Sequence, residues 1–266
     1  MSPIQQLLGI MRALRHPEKG CPWDLGQNFN SLIPYTLEEA YEVADAIEQN
    51  NSDEIKNELG DLLFQIVFYS QLATEQHDFD FDDVVTAINE KLIRRHPHVF
   101  AGAKIKDAAE QTKEWDRIKR EERKNKEDQN AVDLSCLDDV SRILPSLMRA
   151  EKLQKRAARE GFDWAEINDV IAKVYEELEE VKAEVDASII NQEKIEEEIG
   201  DLFFSCINLS RHAGVNAEQS LRNANLKFER RFRAIEKIVI SKGLSVNEMK
   251  ADELENLWNR VKNEEK

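Results

Sequence analysis

The sequence predicts an all-α protein made of two tandem helical-bundle domains. Only nine of the 266 residues are glycine and six are proline, whereas Glu, Lys, Leu and Ala are abundant. No segment alternates convincingly between apolar and polar residues, and β-branched stretches such as VVTAINEKL carry charges at helical spacing. Few helix breakers and the lack of a strand pattern favour helices joined by short connections, as in a bundle.

One unit of about 120 residues occurs twice. NELGDLLFQIVFYSQLA (57–73) aligns without gaps with EEIGDLFFSCINLSRHA (197–213). Three further blocks recur in the same order: TLEEAYEV with VYEELEEV, NEKLIRR with NLKFERR, and WDRIKREE with WNRVKNEE. We therefore predict an N-terminal domain over 1–125, a polar linker over 126–135 and a C-terminal domain over 136–266.

Each copy is predicted to contain four or five helices. The first precedes a glycine-containing turn and a tryptophan, Trp23 or Trp164. The second carries the acidic EExxE block, and the third begins with the acidic-Gly-Asp block and stays apolar for several turns. The fourth carries paired Lys and Arg residues, and the last carries Trp115 or Trp258.

Charge and cysteine content exclude several classes of protein. The formal net charge of −16 disfavours sequence-independent binding to nucleic acid or to an anionic membrane. The apolar runs are far shorter than the ~20 residues that a membrane helix requires. Three scattered cysteines without a CxxC pair are typical of a reducing compartment. We expect a cytoplasmic protein that binds neither nucleic acid nor a membrane.

Two pairs of carboxylates in the second copy each share a helix face. Glu177 and Glu180 are three residues apart, as are Glu198 and Asp201 one helix later. If the two helices pack antiparallel, the four groups meet, and they cannot all stay charged in a partly buried site without a cation. Oxygen ligands without histidine or thiol favour Mg²⁺, with Mn²⁺ as an alternative. The first copy offers the same set at matching positions: Glu39, Glu42, Glu58 and Asp61.

Gly60 and Gly200 lie between the carboxylates of the second pair in each copy. A missing side chain there would let a neighbouring helix, a phosphate or a metal-bound water approach the backbone. Solvated acidic helix faces are the alternative interpretation, less favoured because the pairs recur with the same apolar neighbours. A ferritin-like di-iron site is disfavoured because none of the five histidines follows a Glu by three residues.

The chain also supplies cations at fixed spacing. Lys227 and Arg231 are four residues apart on one predicted helix, and Lys262 follows Trp258 by four. Arginine suits bidentate phosphate recognition, and a tryptophan one turn from a lysine suits a nucleobase or ribose beside a phosphate. Two alternatives stay open: the tryptophans are core anchors, and the basic residues form a solvated face.

A polar stripe follows the third helix of the second copy. Asp201, Ser205, Asn208 and His212 share one face, where the first copy has Asp61, Gln65, Phe68 and Leu72. We expect this stripe to line a ligand pocket in the second copy and a drier core in the first. His212 by itself is expected to be a structural histidine with a partner.

The two copies differ in charge next to the acidic blocks. Lys173 and Lys194 of the second copy correspond to Tyr35 and Glu54 of the first. Replacing a lysine with a glutamate beside a polyphosphate costs about 1 kcal/mol or more, even in well-screened surroundings. We therefore expect the second copy to carry the main activity.

These residues resemble the long form of the MazG family of nucleoside triphosphate pyrophosphohydrolases, which has two tandem domains. The family motif, EExxE followed by ExxD, matches 176–180 with 198–201, and 38–42 with 58–61. LGDLLFQIVFYSQ, RRHPHVF and GFDW add to the match, which covers essentially the whole chain. The resemblance implies an all-α bundle, a homodimer, and Mg²⁺-dependent hydrolysis of nucleoside and deoxynucleoside triphosphates to monophosphate and pyrophosphate.

The resemblance also implies a role for each matching residue. The metal ligands would be Glu177, Glu180, Glu198 and Asp201, and the nucleotide contacts would be Lys173, Glu176, Lys194, Glu197, Lys227, Arg231, Trp258 and Lys262. Glu176 or Glu197 would orient or deprotonate the attacking water, and the sequence does not choose between them. Tyr35 and Glu54 put nucleotide binding by the first copy in doubt, although not its metal site. The alternative function is a non-enzymatic regulator that binds nucleotide and metal and acts through a protein partner.

Overall fold

The structure, a computed structural model, is helical in both halves of the chain. It describes residues 1–266 apart from 103–105, 108, 109, 112, 113, 116, 119, 120, 123–134, 139 and 266. Within these described residues there is no β-strand, which confirms the all-α fold. None of the described helices is long and apolar enough to span a membrane.

The chain divides into two compact units, Met1–Gln129 and Asn130–Lys266. The predicted linker lies outside the described residues except for Ser135, so the predicted domain limits stay a prediction. In the first unit the helices with fully described bounds are α1 (Pro3–Leu14), α2 (Pro22–Leu25), α3 (Phe29–Glu48), α4 (Ser52–Glu75), α5 (Phe81–Arg95) and α6 (Pro97–Phe100). In the second they are α7 (Ser146–Arg159), α8 (Ile167–Val185), α9 (Gln192–His212), α10 (Ala217–Ser241) and α11 (Ala251–Glu264), with a 3₁₀ turn at Val246–Glu248.

The long acidic helix of each unit begins at an asparagine cap. In α4 the Asn51 side chain accepts a hydrogen bond from the backbone amide of Glu54, and in α9 Asn191 accepts from the amides of Glu193 and Lys194. Both helices therefore begin six residues before Glu58 and Glu198 respectively, and not at the acidic block as the sequence predicts. The carboxylates lie in the helix interior, where their spacing is fixed by the helix.

The acidic helices pack as pairs. In the first unit α3 packs along α4, and in the second unit α8 packs along α9. The connections of a few residues between the paired helices require them to run antiparallel. The EExxE and ExxD blocks of each unit are thus brought to the same end of a helix pair.

Each unit has its own core. In the first unit Met11, Leu32, Val67, Phe68 and Leu72 form one buried cluster. In the second unit α10 packs on α11 through Ile235, Val239, Leu257 and Val261, and a smaller cluster joins α7, α9 and α10.

Candidate functional site

Three carboxylates of the second unit meet between α8 and α9. Oxygen atoms of Glu177, Glu180 and Glu198 all lie within 4.8 Å of one another. Glu177 is only 5% exposed, whereas Glu180 is open to solvent. One cation could therefore contact all three groups while one side of it faces solvent. We call these three residues the second acidic cluster.

The charges in this cluster are unbalanced without a cation. Partial loss of hydration raises the pKa of Glu180, and the negative charges of Glu177 and Glu198 raise it further, against a lowering by Lys173. Lys173 Nζ lies 2.7 Å from Glu177 and 2.9 Å from Glu176, and these bonds raise the pKa of the lysine. Three clustered carboxylates beside one ammonium group leave a net negative site that suits a divalent ion.

The first unit has an equivalent group between α3 and α4, the first acidic cluster. It consists of Glu39, Glu58 and Asp61, with oxygen atoms within 4.8 Å of one another. Burial is the largest cause of a raised pKa at Glu39, followed by the charge of Asp61. The pKa of Glu58 is also raised, first by burial and then by the charge of Glu42. Because no lysine is among these causes, the first acidic cluster carries more uncompensated negative charge than the second.

The two clusters do not use the same three positions. Asp201 is not among the grouped carboxylates of the second unit, and Glu42 is not among those of the first. Each is exposed and lies one turn from a grouped residue, since Asp201 follows Glu198 and Glu42 follows Glu39. The structure thus groups three of the four predicted ligands within 4.8 Å in each unit, and the fourth is Glu42 in the first unit and Asp201 in the second.

Gly60 and Gly200 have open space beside them. A Cβ atom at either position would meet no atom of the described residues within 4 Å apart from its chain neighbours and the nearby backbone of its own helix. The approach of a neighbouring helix, one of the three alternatives that the sequence offers, is therefore not found in the described part of the chain. Room for a phosphate or a water remains.

The residues near the second acidic cluster that are predicted to contact the nucleotide have different partners in the structure. Glu176 and Glu197 are exposed, and Glu176 accepts a hydrogen bond from Lys173. Lys194 Nζ lies 3.5 Å from Glu184 and links the start of α9 to the end of α8. Both glutamates can reach solvent water, as the predicted catalytic role requires.

The predicted basic contacts form a second group on α10 and α11. The guanidinium of Arg231 lies 5.6 Å from the centre of the Trp258 ring, which also contacts Phe228. Trp258 packs against the α10–α11 core, so the core-anchor interpretation is correct for part of its surface. Lys227 and Lys262 are exposed. Among the described residues no hydrogen bond or ion pair joins this basic group to the second acidic cluster.

A cavity of about 230 Å³ lies beside α9, next to the predicted polar stripe. Its wall includes Ser205 and Asn208, together with Gln154 of α7 and Trp164. In the first unit Gln65, Phe68 and Leu72 hold the corresponding stripe positions and are all buried. Two of the four stripe residues of the second unit thus line a cavity, whereas Asp201 and His212 do not; a ligand in this cavity stays a prediction.

Sequence reasoning missed the ion pair that fixes the GFDW loop. Asp163 accepts hydrogen bonds from Arg211 Nη1 at 2.9 Å and pairs with His212 Nε2 at 2.9 Å. Arg211, and to a smaller extent His212, lower the pKa of Asp163 to about 2. His212 therefore has a partner, as expected of a structural histidine. The aspartate in GFDW was the available signal, but its partners lie 48 and 49 residues away.

This ion pair predicts a loss of stability in acid. Because the pKa of Asp163 is lowered from its ordinary 3.8 to about 2, its contribution is complete above about pH 4 and is lost as the pH falls toward 2. We expect Asp163→Asn to lower the melting temperature at pH 7 and to flatten its dependence on pH between 4 and 2. Thermal melts of both proteins over this range measure the effect, with the exposed Asp169→Asn as a control. Parallel curves for the wild type and Asp163→Asn would contradict the prediction.

The chain is similar over its whole length to known proteins. The MazG nucleotide pyrophosphohydrolase domain model matches residues 27–100 and 166–235, which contain both acidic clusters. The chain is 50% identical over 265 residues to a nucleoside triphosphate pyrophosphohydrolase of Escherichia coli K12, covering 100% of this chain and 99% of the relative. It is 40% identical to the nucleoside triphosphate pyrophosphohydrolase/pyrophosphatase MazG of Thermotoga maritima, covering 97% and 95%. An uncharacterized protein of Bacillus subtilis is 38% identical, with 97% of this chain matching 51% of that protein.

Proposed function

Because the chain belongs to the MazG nucleotide pyrophosphohydrolase family, we propose that it hydrolyses nucleoside and deoxynucleoside triphosphates to nucleoside monophosphate and pyrophosphate. The observation that carries the proposal is the second acidic cluster, in which three carboxylates meet beside Lys173. A phosphate substrate needs both parts, since its own negative charge must be balanced by a cation and by basic side chains.

The carboxylates fit Mg²⁺, with Mn²⁺ as an alternative. Glu177, Glu180 and Glu198 would hold the ion, and Asp201 would join them from one turn along α9. When bound, such an ion neutralises phosphate charge and lowers the pKa of a coordinated water. The oxygen ligands and the raised pKa of Glu180 support a hard divalent cation.

Side chains of the second unit carry the remaining steps. Lys173 and Lys194 bind phosphate oxygens, and Lys227, Arg231 and Lys262 add positive charge from α10 and α11. Glu176 or Glu197 accepts the proton of the water that attacks the α-phosphorus. The bond from this phosphorus to the bridging oxygen breaks, and pyrophosphate leaves with its charge balanced by the basic side chains. Trp258 would contact the base or ribose.

We assign the main activity to the second unit. The first acidic cluster would still hold a metal ion, but Tyr35 and Glu54 replace the two lysines. Tyr35 makes a ring contact with Trp23 at 5.6 Å, and Glu54 adds a negative charge that raises the pKa of Glu58. Both differences disfavour binding of a triphosphate there.

We also propose a cytoplasmic homodimer. Apolar side chains on α8 and α9 support the dimer, because Leu178, Phe203 and Phe204 are each more than 40% exposed in the single chain. Equilibrium sedimentation measures the mass, and a monomer at micromolar concentration would contradict the dimer.

The reaction itself is tested by its products. Incubation with Mg²⁺ and ATP should release AMP and pyrophosphate in equal amounts. ADP and phosphate would place the cleavage at a different bond. No product with any common nucleoside triphosphate would favour the regulator that acts through a protein partner.

Lys194→Glu is expected to weaken substrate binding, because it places the first unit's residue in the second. By Coulomb reasoning the KM for ATP rises roughly tenfold, with a smaller change in kcat. Lys182→Glu is the matched control, because it makes the same change of charge at a lysine of α8 that pairs with Glu179. Steady-state pyrophosphate release measures both variants. Equal KM increases in the two would show only a general charge effect.

A further inference from the structure

Arg231 is held by an acidic residue near the end of the chain. Arg231 Nε lies 2.7 Å from one carboxylate oxygen of Glu265, and Arg230 Nε lies 2.9 Å from the other. The Arg231 side chain is 15% exposed and that of Glu265 is 26% exposed, whereas Arg230 is 65% exposed. Glu265 therefore makes its better shielded bond to Arg231.

The guanidinium of Arg231 is fixed from two directions. Glu265 holds the Nε edge, and the Trp258 ring lies 5.6 Å from the central carbon. Within the described part of the chain, no hydrogen bond is recorded for the two terminal nitrogens of Arg231. A guanidinium bound only through Nε keeps the pair of terminal donors that binds a phosphate in bidentate fashion.

The first unit repeats the motif with a different bond. Arg95 corresponds to Arg231, and Glu122 corresponds to Glu265. Arg95 donates to Glu122 through a terminal nitrogen, Nη2, at 2.6 Å and through Nε at 3.3 Å. The carboxylate thus takes up a terminal donor of Arg95 that stays available in Arg231. This difference parallels the loss of both phosphate-binding lysines in the first unit.

We propose that Glu265 is a positioning residue for nucleotide binding: it holds Arg231 against Trp258 so that the terminal nitrogens can bind a phosphate group of a nucleoside triphosphate. This inference rests on the proposed function. Glu265 would not itself contact the substrate. It directly follows α11, and its role would be to keep the Arg231 side chain in one orientation.

A competing role would give the opposite result. If Glu265 instead blocked Arg231, its removal would free the arginine and strengthen substrate binding. The bond through Nε favours positioning, because a blocking carboxylate would occupy the terminal nitrogens as Glu122 does in the first unit.

The test is the kinetics of Glu265→Gln in the full-length chain with ATP and Mg²⁺. We expect the KM to rise roughly tenfold with kcat within about twofold of the wild type, since an uncharged amide holds the arginine less firmly. Glu264→Gln is the matched control: Glu264 is the neighbouring residue, and it pairs with Arg260 at 2.8 Å. Its KM should stay at the wild-type value.

A double-mutant cycle separates positioning from a general effect on folding. In an Arg231→Lys background, Glu265→Gln should change KM by less than about twofold, because lysine has no Nε edge for Glu265 to hold. A lower KM in Glu265→Gln, an equal rise in Glu264→Gln, or an undiminished effect in the lysine background would each overturn the inference. If the wild type releases no pyrophosphate, the proposed function fails instead; an unchanged KM in Glu265→Gln leaves that function standing and removes only this inference.

Discussion

Glu177→Gln is expected to abolish turnover, with pyrophosphate release falling roughly a thousandfold. Glu177 is the most buried member of the second acidic cluster, and it links Lys173 to the predicted metal position. The amide keeps the shape of the side chain but removes a charged ligand and leaves Lys173 with one carboxylate fewer. Initial rates at saturating ATP and Mg²⁺ measure the loss, and a thermal melt checks that the variant folds.

Glu39→Gln is the control for this prediction, because Glu39 holds the matching position in the first acidic cluster. We expect it to keep most of the activity. Equal losses in Glu177→Gln and Glu39→Gln would contradict the assignment of the activity to the second unit.

Asp201→Asn is expected to be as damaging as Glu177→Gln, and retained activity in that variant would exclude Asp201 from the metal ligands.

Removal of divalent ions is expected to abolish activity and to lower stability. Clustered carboxylates repel one another in the folded protein, and a bound cation relieves this repulsion. At a hundredfold excess of ion over its Kd, binding to one site adds about 2.7 kcal/mol to the free energy of unfolding. We expect a chelator to stop pyrophosphate release and Mg²⁺ or Mn²⁺ to restore it, together with a higher melting temperature.

The same melts show which cluster binds the ion. In Glu177→Gln the rise in melting temperature with Mg²⁺ should be reduced, and the remaining rise should come from the first acidic cluster. In the double variant Glu39→Gln/Glu177→Gln it should nearly disappear. A full rise in the double variant would mean that the ion binds elsewhere on this acidic chain.

Helical spacing and the repeat predict much of the fold and of the site. The EExxE and ExxD blocks fix which carboxylates share a face, and antiparallel packing of the two helices then follows from the short connection. Three of the four predicted ligands meet in each unit. The acidic block does not predict the start of α9, because the helix begins at the Asn191 cap, before that block.

The remaining details depend on tertiary packing. Sequence spacing predicts Glu180 and Asp201 equally well as metal ligands. Only the packing of α8 on α9 places Glu180 in the grouped carboxylates and Asp201 outside them. Asp163 and Glu265 each bond to an arginine at least 34 residues away in sequence. No local pattern links such partners, so sequence spacing alone could not find them.

The packed core around Phe68 and the hollow beside Asn208 have a practical consequence. Two copies of one helical scaffold, joined in a single polypeptide, carry different side chains at matched positions such as Phe68 and Asn208. Each unit can therefore serve as the comparison for the other. If the two units differ in metal binding or activity, exchanging matched side chains between them shows which residues cause the difference.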